Sequence, residues 1–206
     1  MTYISLANCL KTQLHILGGA IQTIRERTLD KLELPLDFNV FRDEDHLILE
    51  KEMYKELRHC TKHLIILIRV YNELENIFCI VILEQSVVTV MVLSSCLYAS
   101  SLATFGSPVF FSQIEFFLAV LTQFTCFCWF GNEIFLAGEF VQDSMFQCNW
   151  LSSSTRFKKC LIMNHERLKK CLFLTIGKFT DLKLSTLITV VRGSFSYFAV
   201  FKSVDI

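Results

Sequence analysis

Three long apolar runs constrain this chain more than anything else in it. Residues 77–105, 109–130 and 184–204 each supply the roughly 20 mostly apolar residues that a helix needs to cross a hydrocarbon core. Charges inside them are few: Glu84 in the first, Glu115 in the second, Arg192 in the third, with Lys202 near its end. A charge at mid-bilayer costs roughly 2.5–3.5 kcal/mol on insertion scales, so such groups normally face protein or water, or snorkel.

The connecting segments give a direction to these spans. Nine lysines and arginines lie between residues 25 and 70, eight between 131 and 183, and none between Ala99 and Ser112. Positive charge stays on the cytoplasmic side, so the two basic regions are expected inside and the short turn outside. The third span then runs outward and leaves the carboxyl terminus extracellular. The first residues lack a basic stretch, and Asn8, Lys11, Gln13 and His15 interrupt any apolar one, so no cleavable signal peptide is expected.

Composition excludes several function classes. The chain of 206 residues is 52% hydrophobic with 20 Phe and 2 Pro, more apolar than a soluble domain of this length. A net charge of zero gives no electrostatic footprint for nucleic acid. Cys79, Cys96, Cys126 and Cys128 sit inside apolar runs, where thiols act as small hydrophobes rather than as a disulfide framework. Cys126-Phe-Cys128 is CxC and not a redox CxxC; it packs in a helix or carries palmitate. There is no GxGxxG, P-loop or GxSxG, and His165-Glu166 lacks a second His at zincin spacing. Cys148, Cys160, His165 and Cys171 fit no standard zinc module. No catalytic residue, metal or other cofactor is expected.

Outside the spans the periodicity is helical. Leu10, Leu14, Leu17, Ile21 and Ile24 alternate steps of four and three, as do Leu57, Cys60, Leu64, Leu67, Tyr71 and Leu74. Such spacing makes an apolar seam for another helix. The second seam runs into the first span, which predicts one long helix that leaves the membrane. Between the seams, Thr28 to Asp45 is polar, contains Pro35 and reads as a loop. Phe157, Leu161, Leu168 and Leu172 share a face of a basic amphipathic helix, which lies on a membrane surface or packs into a bundle. Gly177 is expected to break or bend the chain before the last span.

The order of motifs in the last third carries a family resemblance. The second span ends in Cys126-Phe-Cys-Trp-Phe-Gly-Asn-Glu133; Phe157-Lys-Lys-Cys-Leu-Ile-Met-Asn-His-Glu-Arg-Leu-Lys-Lys170 and Leu174-Thr-Ile-Gly-Lys-Phe179 follow, then Ser194-Phe-Ser-Tyr-Phe198. This series resembles the carboxyl-terminal half of insect odorant receptors, seven-helix odour-gated cation channels of the plasma membrane of olfactory sensory neurons. The resemblance runs from about Cys9 to Lys202. Gustatory receptors, the nearest relatives, usually carry a TYhhhhhQF-like ending (h, hydrophobic), whereas Ser196-Tyr-Phe-Ala-Val-Phe-Lys-Ser-Val204 lacks the Gln-Phe. A Lys-Pro common in the family stands here as Lys170-Cys171.

The resemblance implies an all-α, polytopic membrane fold with cytoplasmic helical extensions. Residues 1–26 resemble the cytoplasmic end of helix four, 27–75 a cytoplasmic loop and the inner part of helix five, and 76–105 its transmembrane part. Residues 109–130 resemble transmembrane helix six, 131–178 a cytoplasmic anchor region and 180–206 the pore-lining helix seven. Val200 resembles the gate valine, with Ser203 and Val204 as neighbouring pore positions. Phe111, Phe116, Phe117 and Val120 are candidates for an apolar odorant pocket. Leu64, Leu67, Tyr71, Trp129, Phe157, Leu161 and Leu168 are candidates for anchor or oligomer contacts. Arg192 is read as a pore- or interface-facing cation or, favoured because it would repel cations in a pore, as a salt-bridged or snorkelling one. The partners implied are a volatile odorant, the odorant receptor co-receptor in a hetero-tetramer and the lipid bilayer, without nucleic acid. No long cytoplasmic insertion marks the chain as the co-receptor, so a tuning subunit is expected. Helices one to three and most of helix four have no counterpart, which reads as a truncated gene model, a splice product or a degenerate copy. The alternatives are a truncated, non-sensing subunit that acts only as an oligomerisation partner, or a gustatory receptor relative.

Overall fold

The computed structural model describes residues 2–35, 46–169 and 174–204. Six helices and one small hairpin follow in order: α1 Thr2–Gln22, α2 Ile24–Lys31, α3 Leu47–Leu102, α4 Pro108–Gln147, α5 Thr155–Lys169, β1 Thr175–Ile176, β2 Thr180–Asp181 and α6 Leu184–Val204. The fold is all-α apart from that hairpin. It divides into two compact units: Ser5–Leu74 with Glu133–Leu172, termed the bundle unit, and Met1–Ile4, Glu75–Asn132 and Phe173–Ile206, termed the span unit.

In the bundle unit both seams are buried. Leu10, Leu14, Leu17, Ile21 and Ile24 are at most 2% exposed, and the α3 seam begins earlier than its spacing suggested, with Leu49 and Met53 equally buried. Thr23 interrupts α1 and α2; its hydroxyl donates to Gly19 O at 2.8 Å, a back-bond of the kind that bends helices. The expected loop from Thr28 starts too early, because α2 continues to Lys31. It ends where Glu33 N–H donates to Asp30 O and Leu34 N–H to Leu29 O, with Glu33 at φ 55°. That is a Schellman ending with Glu in the left-handed position usually held by Gly. Residues 36–45 of the expected loop, and Leu172 on the α5 face, lie outside the described residues. Ser154 caps α5 by accepting from Phe157 N–H at 3.3 Å, and Phe157, Leu161, Asn164 and Leu168 form the buried face.

In the span unit the apolar residues mostly face outward. α3, α4 and α6 are each long and apolar enough to cross a membrane, yet only 28%, 17% and 11% of the most apolar stretch of each is buried within the chain. Hydroxyls in α3 bond back to their own helix: Ser86 to Leu83 O, Ser94 to Met91 O and Ser100 to Leu97 O, each at 2.7–2.9 Å. This satisfies polar groups that no water would reach in hydrocarbon. α3 ends at Leu102, three residues short of the expected boundary at Phe105. Ser107 then caps α4 through Phe110 N–H at 3.2 Å, with Pro108 in the first helical position. α4 does not stop at Phe130 but continues to Gln147.

Candidate functional site

The segment before α6 differs most from expectation. Gly177 does not break a helix; it turns a hairpin in which Thr175 pairs with Asp181 and Ile176 with Thr180. Phe179 N–H donates to Ile176 O across Gly177 and Lys178, at φ 58° and 64°, as a type I′ turn requires. The region assigned to helix seven from residue 180 therefore begins as a strand and becomes helical only at Leu184. Sequence periodicity missed the hairpin because each strand is two residues long.

The hairpin seats the start of α6 within the span unit. Gly177 N–H donates to Cys79 O at 3.1 Å and Thr175 Oγ1 to Glu75 Oε1 at 2.8 Å, both on α3. A Cβ on Gly177 would stand 2.7 Å from Leu83 Cδ2. On α4, a Cβ on Gly131 would meet Leu182 Cδ2 at 2.7 Å and its carbonyl oxygen at 3.0 Å. Thr186 Oγ1 donates to Asp181 O at 2.8 Å in the first turn of α6.

Beyond that seat α6 has two different faces. Thr186, Val190 and Ser194 are buried, and Phe201 lies edge-on to Tyr98 of α3 at 6.3 Å. Thr189, Gly193, Ser196, Val200 and Ser203 recur four, three, four and three residues apart and share another face. Val200 on it is 54% exposed, and a Cβ on Gly193 would meet nothing within 4 Å. Ser203 is exposed and its hydroxyl donates to Val200 O at 2.8 Å. Val204 closes α6, and its side chain lies outside the described residues. Arg192 is exposed and forms no salt bridge among the described residues.

The odorant-pocket candidates all lie on α4. Phe111 and Phe116 are 62% and 53% exposed, while Phe117 and Val120 are half-buried. Phe124, further along α4, is fully buried instead.

The anchor candidates divide between the units. Leu64, Leu67, Tyr71, Phe157, Leu161 and Leu168 are at most 6% exposed inside the bundle unit. These six residues form the internal core of the bundle unit. Trp129, in the span unit, is 52% exposed.

Polar contacts that periodicity could not show complete the bundle unit. Buried Asn164 donates to Thr61 Oγ1 at 2.7 Å, and Thr61 passes the bond to Leu57 O at 2.8 Å. Glu133 is paired with Lys11. Arg25, 8% exposed, donates to Ser152 Oγ at 2.8 Å. Hydrogen bonds from Lys31 to Glu56 and Glu52 hold its ammonium above the usual lysine range. Burial pushes the Cys148 thiol up to about 11. Cys148, Cys160 and His165 join no metal-binding group among the described residues, and Cys171 lies outside them. Two hollows open in this unit, a polar one beside Arg25, Glu26 and Gln147 and an apolar one of about 280 Å3 between the end of α4 and α5.

The comparisons with known proteins fit this architecture. The family model described as 7tm odorant receptor matches residues 1–195. The chain belongs to the odorant receptor family. Among its relatives in Drosophila melanogaster, odorant receptor 2a is 24% identical over 73% of this chain and 38% of its own length. Putative odorant receptor 92a is 24% identical over 89% of this chain and 44% of its own. Odorant receptor 67a is 26% identical over 74% and 37%. The chain thus spans about two fifths of the length of these curated relatives. The insect olfactory receptor OR5 of Machilis hrabei, solved in complex with eugenol, superposes with a TM-score of 0.62 over 98% of this chain and 68% of that one. At 11% identity that likeness shows the fold alone. As in the rest of the odorant receptor family, the long apolar helices make this a multi-pass membrane chain.

Proposed function

We propose that this odorant receptor chain supplies the pore-lining part of a tuning subunit in an odorant-gated cation channel. The observation that carries the reading is the face of α6 made by Thr189, Gly193, Ser196, Val200 and Ser203, small and uncharged residues of which all but the half-buried Gly193 are exposed among the described residues. Repeated around an axis, such faces line a path for ions, and a ring of Val200 side chains stops them by dewetting. The open state is reached when a volatile odorant binds it more tightly than the closed one. The co-receptor completes a hetero-tetramer, and the complex sits in the plasma membrane of olfactory neurons. In this reading the bundle unit lies in the cytoplasm and the carboxyl terminus outside, which the basic stretches on either side of the charge-free turn favour.

The test expresses the chain with the co-receptor and records odour-evoked current. With Val200→Cys in place, a membrane-impermeant thiol reagent applied from outside blocks that current if the reading holds. Current that ignores the reagent places Val200 away from the pore. A glycosylation site added after Val204 is modified only if the terminus is outside. A second reading is an oligomerisation partner that senses nothing, which draws on a bundle unit with its own buried core. Co-purification without current selects it.

A further inference from the structure

The apolar hollow of the bundle unit is unused by the function above. Met145 and Phe146 of α4, Trp150 just after it, and Leu161 and Ile162 of α5 form its walls, with Phe146 61% and Ile162 62% exposed at its rim. His165 stands edge-on to Phe146 at 4.7 Å, and its Nδ1 is buried without a hydrogen-bond partner among the described residues. Lys158 also lines the hollow, half-buried, with no acidic partner among the described residues. Its neighbour Arg156 is engaged over the Tyr54 ring at 4.4 Å. α5 carries Arg156, Lys158, Lys159, Arg167 and Lys169 against the single acid Glu166.

Apolar walls left open to solvent are unfavourable, and a lysine side chain at their edge offers an anion a partner, so one amphiphile suits both features. We propose that this hollow binds a medium-chain fatty acid, with its carboxylate on Lys158 and its chain along Leu161, Ile162 and Phe146. Lys158 and His165 are seven residues apart, a rise of about 10 Å along α5, comparable to a medium-chain acyl tail. The volume of about 280 Å3 stands near the ~300 Å3 lower end of ligand pockets, enough for one short chain and too little for the paired tails of a phospholipid. The site does not depend on the pore assignment of α6.

The full chain in membranes is irradiated with a medium-chain fatty acid that carries a mid-chain diazirine and a terminal alkyne, and adducts are mapped by mass spectrometry. Adducts within residues 145–165, competed by unlabelled decanoic acid, are expected. Lys158→Glu lowers their yield by about fivefold or more and Lys158→Arg keeps it within about twofold, the scale of a partly exposed ion pair. Ile162→Trp, which fills the rim, removes them in a chain whose melting temperature is unchanged. Adducts confined to the spans, or insensitive to Lys158→Glu and to competitor, overturn the proposal. Lys158-dependent labelling by a diazirine phosphatidic acid that decanoic acid does not compete overturns the free acid in favour of a lipid headgroup. Chain-to-chain crosslinks through Phe146 and Ile162 that exclude the probe overturn it in favour of a second copy.

Discussion

The two units of this chain bury their apolar residues in opposite ways. In the bundle unit Leu57, Leu64 and Phe157 turn inward and are at most 1% exposed. In the span unit Ile77, Ile80 and Met91 turn outward and are 62–68% exposed. Their helices are equally regular, so the difference lies in the solvent for which each was selected. A seam at steps of three and four leaves the other faces polar and suits water outside a packed core. A run apolar on every face suits hydrocarbon, where outward burial needs no partner helix. Identical side chains should therefore respond to substitution according to the unit that holds them.

The largest expected effect is in the bundle core. Leu64→Ala should destabilise this unit by roughly 2–5 kcal/mol, through lost transfer energy and the cavity left behind. Limited proteolysis within residues 5–74, compared with that of the spans, reads it; a loss of less than half a kcal/mol, on the scale of a surface site, shows that Leu64 is not core. Next comes a pair of substitutions at exposed isoleucines. Ile80→Lys should cost about 2.5–3.5 kcal/mol in a membrane-insertion reporter, whereas Ile16→Lys in the bundle should stay near the ±0.5 kcal/mol of surface sites. Equal costs would erase the distinction between the units.

Gly131→Ala places a methyl against Leu182, including its carbonyl oxygen, so α6 must shift or the side chain must repack. Overpacking of this kind costs typically 1–3 kcal/mol, and it should lower the thermal midpoint of the chain in nanodiscs while Gly19→Ala, whose Cβ meets nothing, does not. Asn164→Ala should cost only about 1 kcal/mol, because Thr61 keeps its bond to Leu57 O. Adding Thr61→Val to Asn164→Leu should recover most of that loss, and a double-mutant cycle measures whether it does.

The smallest effect is at Lys31, an exposed residue tied to Glu52 and Glu56. Its raised pKa means that the pairs contribute throughout the neutral range and are lost as pH climbs through the folded-state value. Lys31→Met should leave neutral-pH stability nearly unchanged and remove whatever alkaline sensitivity exceeds that of the wild type's other groups, as paired pH titrations of unfolding would show.

How much was legible follows from how local each feature is. The seam Leu57–Cys60–Leu64–Leu67–Tyr71–Leu74 was readable because a helix repeats its facing residues every three or four positions. Asn164 stood at a seam position between Leu161 and Leu168, so its burial was readable too, though its partner Thr61 was not. The core assignment of Phe157, Leu161 and Leu168 was half-legible: periodicity showed that the face is covered but not that this same chain covers it.

By itself, then, the sequence determined three membrane-length apolar helices, two buried seams and the segregation of basic residues away from the turn at Ala99–Ser112, because each depends on composition or spacing along one element. Tertiary structure alone decided that Lys11 meets Glu133 and that Thr175 meets Glu75, pairs 122 and 100 residues apart. It also decided that Leu174–Leu182 closes as a hairpin on the Cys79 carbonyl. Two-residue strands carry no periodicity, and a backbone hydrogen bond bears no side-chain signature, so only the packed chain could reveal the seat of α6.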